Sequence, residues 1–180
     1  MLLVNLLTGM CRDFEFVPLK NGEISSAGRL LAWRMALEMA KDHPFSGVGF
    51  HYSAFKMTEY KDPETGYSFD RPKGIHNSFL LVAAEEGILG LIVFLLIFLL
   101  NFRCLIRIKK SVRMHLLEEK FSIYASMLQI SFIGYFTAGF FLNLSYIDIP
   151  WHFIGLSVAL DCIVRKKIRE ESEITGEIKA

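Results

Sequence analysis

The chain has 180 residues, enough for about one domain, with 52% hydrophobic residues and a formal charge of +1. This near-neutral charge argues against a nucleic-acid partner, because a nucleic-acid binder normally concentrates basic residues on one face. The three cysteines are odd in number and far apart, which fits neither a disulfide framework nor a zinc site.

The first 76 residues are charged but balanced, with nine Lys/Arg and nine Asp/Glu. Within them a helix is predicted at about residues 29–42, where Leu30, Trp33, Leu37 and Ala40 share one face. His43-Pro44 then ends the helix, because the residue before a proline is pushed out of the helical region. Two nearby glycines in Gly47-Val48-Gly49-Phe50 predict a close backbone approach, and residues 51–75 follow as an irregular loop.

A polar pair, His76-Asn77, lies where this charged segment ends and a long apolar helix begins. A titratable side chain at such a boundary is the first candidate for chemistry. Glu85 and Glu86 follow about two turns later, and we expect them at the water interface or facing a polar cavity, with the interface favoured.

Three stretches approach the roughly 20 apolar residues that span a bilayer. They lie at about 78–102, 123–144 and 149–164, and the third is short. The alternative is a buried bundle of soluble helices. However, the run Gly87 to Leu100 has no polar side chain and is too uniform for a helix with one wet face. The predicted fold class is therefore all-α: a polytopic membrane protein whose extracytoplasmic helical and loop segment precedes three transmembrane helices.

Basic residues predict the orientation of these spans. They cluster between the first and second spans, and again directly after the third, as Arg103, Arg107, Lys109, Lys110, Arg113 and Lys120, then Arg165, Lys166, Lys167 and Arg169. The positive-inside rule places both clusters in the cytoplasm. Residues 1–76 are then extracytoplasmic, residues 77–165 form the membrane region, and residues 166–180 form a cytoplasmic tail.

The start of the chain does not fit this topology by itself. Met1 to Met10 is apolar but lacks a basic region and a small-residue cleavage site, so it is a poor signal peptide. We therefore expect the chain to be the C-terminal part of a larger polytopic protein. Met1 to Thr8 is then either the tail of an upstream helix or an interfacial segment.

The order of short motifs over roughly residues 26–100 resembles the O-antigen ligase and O-antigen polymerase family of bacterial inner-membrane proteins. Each motif is weak alone, and the resemblance lies in their order and spacing. They are Gly28-Arg29, Trp33, His43-Pro44, Gly47-Val48-Gly49-Phe50, His76-Asn77-Ser78 and Glu86-Gly87-Ile88-Leu89-Gly90-Leu91.

The resemblance implies a multi-pass protein of the bacterial inner membrane with residues 1–76 in the periplasm. It implies transfer of a glycan from an isoprenoid-diphosphate carrier to an acceptor hydroxyl, in lipopolysaccharide or surface polysaccharide biosynthesis. The acceptor is a lipid A core sugar for ligases, a carrier-linked glycan for polymerases and a protein side chain for O-glycosylation ligases. No cofactor and no metal is expected.

Through the same resemblance, His76 is expected to assist the acceptor hydroxyl or to contact the diphosphate. The alternative is that His76 only caps the following helix or lies at the interface. Arg29 is expected to hold the diphosphate, because a guanidinium binds phosphate oxygens in a bidentate way. The alternative for Arg29 is a solvated surface residue, although a cation at a helix start is electrostatically unfavourable.

Four further residues are weaker candidates for binding the diphosphate or glycan. Arg71 and Lys73 lie close to His76 in sequence, but an ordinary charged loop explains them as well. Asn77 either orients His76 or caps the next helix, and Trp33 either contacts substrate or packs its helix against the membrane-facing part of the domain.

A non-enzymatic membrane protein, such as a transporter fragment or a polysaccharide assembly factor, is the competing class. A transporter more naturally carries its polar residues within the spans, whereas here they lie outside. Ligase, polymerase and protein O-glycosylation ligase are not distinguished by these residues. The chain alone is expected to be inactive, since other helices would supply half of the substrate cavity.

Overall fold

A computed structural model describes residues 26–177, with side chains from residue 28 to 173. Every regular element in this range is a helix: α1 Ser26–Asp42, α2 Ser53–Lys56, α3 Ser78–Met114, α4 Lys120–Gly139 and α5 Ile149–Glu177. The all-α prediction is thus confirmed for the described part of the chain. The expectations about Met1 to Thr8 concern residues outside it.

The described residues divide into two compact units: those up to residue 93 with 139–145, and those from 94 to 138 with those from 146 onward. The core of the first unit combines one face of α1, Met57, Ile75 and the start of α3. Its buried α1 side chains recur at helical spacing: Leu31, Ala32, Met35, Ala36, Met39 and Ala40. The face with Leu30, Trp33 and Leu37 is only partly buried. The charged residues Arg34, Glu38 and Lys41 lie beside Leu30 and Leu37 on the helix, which explains why that side stays nearer the surface.

The helix α3 is interrupted at Gly87, whose φ of 72° and ψ of −175° are far from helical values. This backbone region is accessible essentially to glycine alone. The break removes intrahelical partners from the backbone groups on either side of it. Those groups must find other partners, because a buried, unpaired backbone group is costly.

The loop after α1 supplies these partners. Val48 N donates to Ala84 O at 2.8 Å, Gly49 N donates to Glu85 O at 3.1 Å, and Ile88 N donates to Pro44 O at 2.8 Å. The backbones approach so closely that a Cβ at Gly47 would lie 2.2 Å from the carbonyl carbon of Glu85. The loop that contains Gly47 and Gly49 therefore packs directly against the break at Gly87. These contacts hold the start of α3 against the loop.

The second unit is organised around Phe98, whose ring packs against three aromatic rings of α4. The centroid distances are 5.8 Å to Phe132, 5.7 Å to Tyr135 and 5.0 Å to Phe136. Phe132 also contacts Phe153 of α5, at 5.6 Å. Aromatic contacts thus connect all three helices of this unit.

Two helices in the described range are long and apolar enough to cross a membrane, Ser78–Met114 and Lys120–Gly139. Only 22% of the most apolar stretch of each is buried, so most of these apolar side chains are exposed in the folded chain. This pattern suits contact with lipid rather than the core of a soluble protein.

The third predicted span lies within α5, which is longer than predicted but is not among these two candidates. Its membrane crossing therefore stays a prediction. Asp161 of α5 pairs with Arg165 at 2.7 Å and with Arg107 of α3 at 3.4 Å. These ion pairs give the carboxylate two charged partners.

Candidate functional site

His76 lies directly before α3 in a left-handed backbone conformation, with a φ of 53°. This conformation costs an ordinary residue about 1–2 kcal/mol, so the surrounding structure must hold it in place. Backbone outliers of this kind concentrate at functional sites. His76 is partly exposed, which leaves its ring accessible to a ligand.

Hydrogen bonds fix the residues on both sides of His76. The indole Nε1 of Trp33 donates to Ile75 O at 2.9 Å, which ties α1 to the residue before the histidine. On the other side, Asn77 Oδ1 accepts from the backbone N–H groups of Phe79 and Leu80, both at 3.0 Å. Asn77 is therefore the N-cap of α3. Trp33 and Asn77 are engaged with backbone atoms here, and their predicted contact with substrate stays a prediction.

The segment of residues 140–145, which follows α4, is bound to this same helix start. Asn77 Nδ2 donates to Phe140 O at 3.2 Å. The hydroxyl of Ser78 donates to Leu142 O at 2.7 Å and accepts from Leu144 N at 2.8 Å. The motif His76-Asn77-Ser78 thus both begins α3 and holds this segment beside His76.

Two cations lie close enough to His76 to affect its titration. Burial lowers the pKa of His76 below its usual value of 6.5, and the charges of Arg29 and Lys73 lower it further. The structure therefore brings together three of the predicted site residues, from α1 and from the loop before α3. Arg71 is an exposed residue of the same loop, and its predicted role stays untested.

The two arginines of α1 differ in their surroundings. Arg34 forms an ion pair with Glu64 at 2.6 Å and lies 3.6 Å from Asp62, with only 14% of its side chain exposed. Arg29 has no such acidic partner within residues 26–177, and its Nε, like that of Arg34, is buried without a hydrogen bond in that range. An unpaired buried donor is costly, so this atom is available for an anionic ligand.

Glu85 has a structural role that sequence reasoning missed. Instead of lying at the water interface, the residue is 2% exposed. Its Oε1 accepts from the hydroxyl and the backbone N–H of Ser53, at 2.6 and 3.2 Å, and its Oε2 accepts from His51 N at 3.1 Å. The left-handed His51 is fixed in this way. The only signal in the sequence was a carboxylate placed next to an apolar run, which requires partners.

Comparison with known proteins identifies the family of the chain. The O-antigen ligase family model matches residues 2–95, more than half of the chain. The chain therefore belongs to the O-antigen ligase family. No curated protein and no solved structure matches it. The matched region contains Arg29, Lys73 and His76, and with the two apolar helices it indicates a membrane protein of the ligase or polymerase type.

Proposed function

We propose that this chain serves the transfer of a glycan from an isoprenoid-diphosphate carrier to an acceptor hydroxyl at the periplasmic face of the inner membrane. Such a reaction belongs to lipopolysaccharide or surface polysaccharide biosynthesis. The observation that carries the proposal is the convergence of Arg29 and Lys73 on His76. Membership of the O-antigen ligase family supports the class of reaction.

The two cations are suited to the diphosphate. Arg29 presents a guanidinium whose buried Nε has no partner within residues 26–177, and a guanidinium binds phosphate oxygens through parallel hydrogen bonds. Lys73 adds a second positive charge on the loop before α3. Together they would stabilise the negative charge that develops on the leaving diphosphate.

The lowered pKa of His76 favours one of its two possible roles. Because the pKa of His76 lies below 6.5, its imidazole is mostly uncharged at neutral pH. An uncharged imidazole accepts a proton from a hydroxyl, whereas only a charged one attracts phosphate strongly. We therefore assign to His76 the acceptor hydroxyl and to Arg29 and Lys73 the diphosphate.

The transfer is then a single displacement at the anomeric carbon. The acceptor oxygen forms a bond to this carbon as the bond from the carbon to the diphosphate oxygen breaks. The electron pair of the broken bond leaves with the isoprenoid diphosphate, and the proton of the acceptor hydroxyl passes to His76. The acceptor is a hydroxyl of lipid A core, of a carrier-linked glycan or of a protein.

The topology that this proposal requires follows from charge. The basic residues at the end of α3 and those after residue 164 of α5 are cytoplasmic by the positive-inside rule, which puts the start of α3 in the periplasm. Lipid-linked glycans presented at the outer face would then meet His76. Residues 1–76 are periplasmic and residues 166–180 cytoplasmic in this arrangement.

The proposal is tested by glycan transfer in the bacterium that carries the gene, with the complete reading frame expressed at equal levels. His76→Ala should lose transfer by on the order of 100-fold or more, since general base catalysis contributes about that factor. Arg29→Ala should lose a similar factor, of about 100-fold, because it removes a charge that stabilises the leaving diphosphate. His115→Ala and Arg113→Ala are matched controls, because both side chains are exposed and lie at the other end of α3. Full transfer by both site variants would refute the assignment.

Topology requires its own measurement. In a protein without native cysteines, Asp70→Cys and Lys110→Cys each place one thiol on an exposed position. A membrane-impermeant thiol reagent applied to intact spheroplasts should label the first and spare the second. Labelling of Lys110→Cys alone would put the proposed site in the cytoplasm and remove the basis for the reaction.

A further inference from the structure

The loop after α1 exposes several large aromatic side chains. Phe45 is 76% exposed, and Phe50, Tyr52 and Phe55 are exposed as well. We call residues 45–55, which carry these four rings, the aromatic loop. Several exposed aromatic rings on one short loop indicate contact with a partner or with a membrane. The backbone contacts of the loop distinguish these possibilities, because they fix its position along α3.

The aromatic loop is fixed beside one turn of α3. Ile88 N donates to the carbonyl of Pro44, the residue before Phe45, at 2.8 Å. Gly49 N donates to Glu85 O at 3.1 Å, nearer the start of α3. A helix rises about 1.5 Å per residue, so these two contacts lie about 5 Å apart along α3. The backbone of Phe45 is therefore level with Ile88, and the rest of the loop lies within about one turn of it.

This turn lies at the edge of the longest uncharged stretch of α3. No Asp, Glu, Lys or Arg occurs from residue 87 to 102, between Glu86 and Arg103. As a helix this stretch is about 24 Å long, whereas the hydrocarbon core of a bilayer is about 30 Å thick. When α3 crosses the membrane, the core therefore covers the whole stretch. Ile88 then lies within the hydrocarbon, close to its boundary.

The surface of α3 shows what surrounds the loop at this depth. Exposed apolar side chains of α3 begin level with Phe45 and continue away from the loop: Ile88, Leu89, Ile92 and Val93. Phe45 thus adds to an apolar surface that already suits contact with lipid. Its exposed ring lies at the same depth as Ile88, so a bilayer that surrounds Ile88 also reaches Phe45.

The buried carboxylate of Glu85 is consistent with this depth. Its three hydrogen bonds come from His51 and Ser53, which both belong to the aromatic loop. A carboxylate near the hydrocarbon boundary is costly unless donors surround it. The loop supplies these donors from within the protein.

We propose that the aromatic loop is a membrane anchor, with the Phe45 ring inserted among acyl chains beside Ile88. Phe50 and Phe55 then lie in the headgroup layer of the same leaflet, which is about 5–8 Å thick. The anchor goes beyond the proposed function. It requires that α3 cross the membrane, but it requires neither the reaction nor one particular orientation of the chain.

The anchor is also connected to the candidate site. Lys73 N donates to Ala54 O of the aromatic loop at 3.3 Å. Attachment of the loop to lipid would therefore hold Lys73 at a fixed height above the bilayer. Under the proposed function, this is the height at which the diphosphate of a lipid-linked donor is bound.

The test measures the depth of single fluorophores in the complete protein, reconstituted in phosphatidylcholine vesicles. In a protein without native cysteines, Phe45→Cys carries a bimane label. This label should lose fluorescence when the acyl chains are brominated near the headgroup, and lose less when they are brominated at mid-chain. Ile92→Cys lies about 6 Å deeper along α3, so mid-chain bromine should quench its label more than the label at position 45. If Phe45→Cys does not accumulate, the exposed Phe55→Cys decides, and bromine near the headgroup should quench its label.

Tyr67→Cys is the matched control, because Tyr67 is also an exposed aromatic residue but is held near the other end of α1. Asp62 N donates to Tyr67 O at 2.8 Å, and Asp62 lies 3.6 Å from Arg34. The neighbouring Trp33 bonds to Ile75, before the start of α3. Neither brominated lipid should quench a label at position 67.

Two outcomes would overturn the anchor. A label at position 45 that neither brominated lipid quenches would refute it. Aqueous iodide would then show whether water surrounds the loop, or whether a second copy or another segment of the complete protein covers it. Unquenched labels at both positions 45 and 92 would remove α3 from the lipid, and the anchor with it.

The depth measurement does not depend on transfer. A quenched label at position 45 together with a fully active His76→Ala would refute the proposed function and leave the anchor intact. An unquenched label at position 45 together with an inactive His76→Ala would do the reverse.

Discussion

Trp33 and Ile75 are joined by a hydrogen bond of 2.9 Å from the indole nitrogen to the main-chain carbonyl, 42 residues apart in sequence. Ile75 is fully buried, and the next residue is His76. This bond therefore links the helix that carries Arg29 to the backbone that carries the histidine. It also gives the tryptophan a positioning role that needs no contact with substrate.

Trp33→Phe keeps most of the aromatic surface but removes the N–H group, so Ile75 O loses its partner. The buried carbonyl should cost about 1–3 kcal/mol of stability, and the displaced His76 should lower kcat by about ten- to a hundredfold with little change in KM. Thermal denaturation in detergent and transfer kinetics measure the two effects. Trp151→Phe, at an exposed position, is the control and should change neither.

Gly87→Ala should prevent the loop from docking on α3. The φ of 72° alone costs about 1–3 kcal/mol for a residue with a side chain, and the new Cβ would lie 2.8 Å from Pro44 O. We expect a lower melting temperature and less protein in the membrane than for Gly134→Ala, whose added methyl group meets no atom within 4 Å. Equal melting temperatures for the two variants would contradict the break in α3.

Glu85→Gln should weaken the contact between α3 and the loop after α1, because it removes side-chain hydrogen bonds from this contact. The carboxylate accepts three hydrogen bonds from His51 and Ser53, and the amide that replaces it has only one oxygen. Its NH₂ group would face a donor, so a loss of about 1–3 kcal/mol is expected. Glu86→Gln, on the adjacent and less buried residue, is the matched control. Denaturation of both variants at equal detergent concentration would show the difference, and equal stabilities would speak against the buried role of Glu85.

Sequence reasoning predicted the helices, but not the long-range contacts that assemble the candidate site. Apolar length predicted the helices that became α3 and α4, because that signal is local. The break at Gly87 depends on hydrogen bonds from Val48 and Gly49, about 40 residues earlier, so the run from residue 78 to 102 read as one uninterrupted helix.

The face of α1 shows a second limit of the sequence pattern. Leu30, Trp33 and Leu37 share a face, yet the chain buries the neighbouring face with Met35 and Met39. Apolar spacing alone did not rank the two faces, but the charges do: Arg34, Glu38 and Lys41 adjoin Leu30 and Leu37, and the buried face carries none. The meeting of Arg29 with His76 was expected from family resemblance rather than from any pattern in the residues.

The pH dependence of transfer provides the most direct test of the electrostatics around His76. Its pKa is lowered because burial and the positive charges of Arg29 and Lys73 disfavour the charged imidazole. Since the neutral form is the active base, kcat/KM should rise with pH through a pKa below 6.5 and then level off.

Lys73→Gln removes one of these charges, so the pKa of His76 should rise and the ascending limb should move to higher pH. Lys110→Gln, at an exposed position beyond residue 93, is the control and should leave the profile unchanged. A limb that moves to lower pH in Lys73→Gln would contradict the proximity of this lysine to His76.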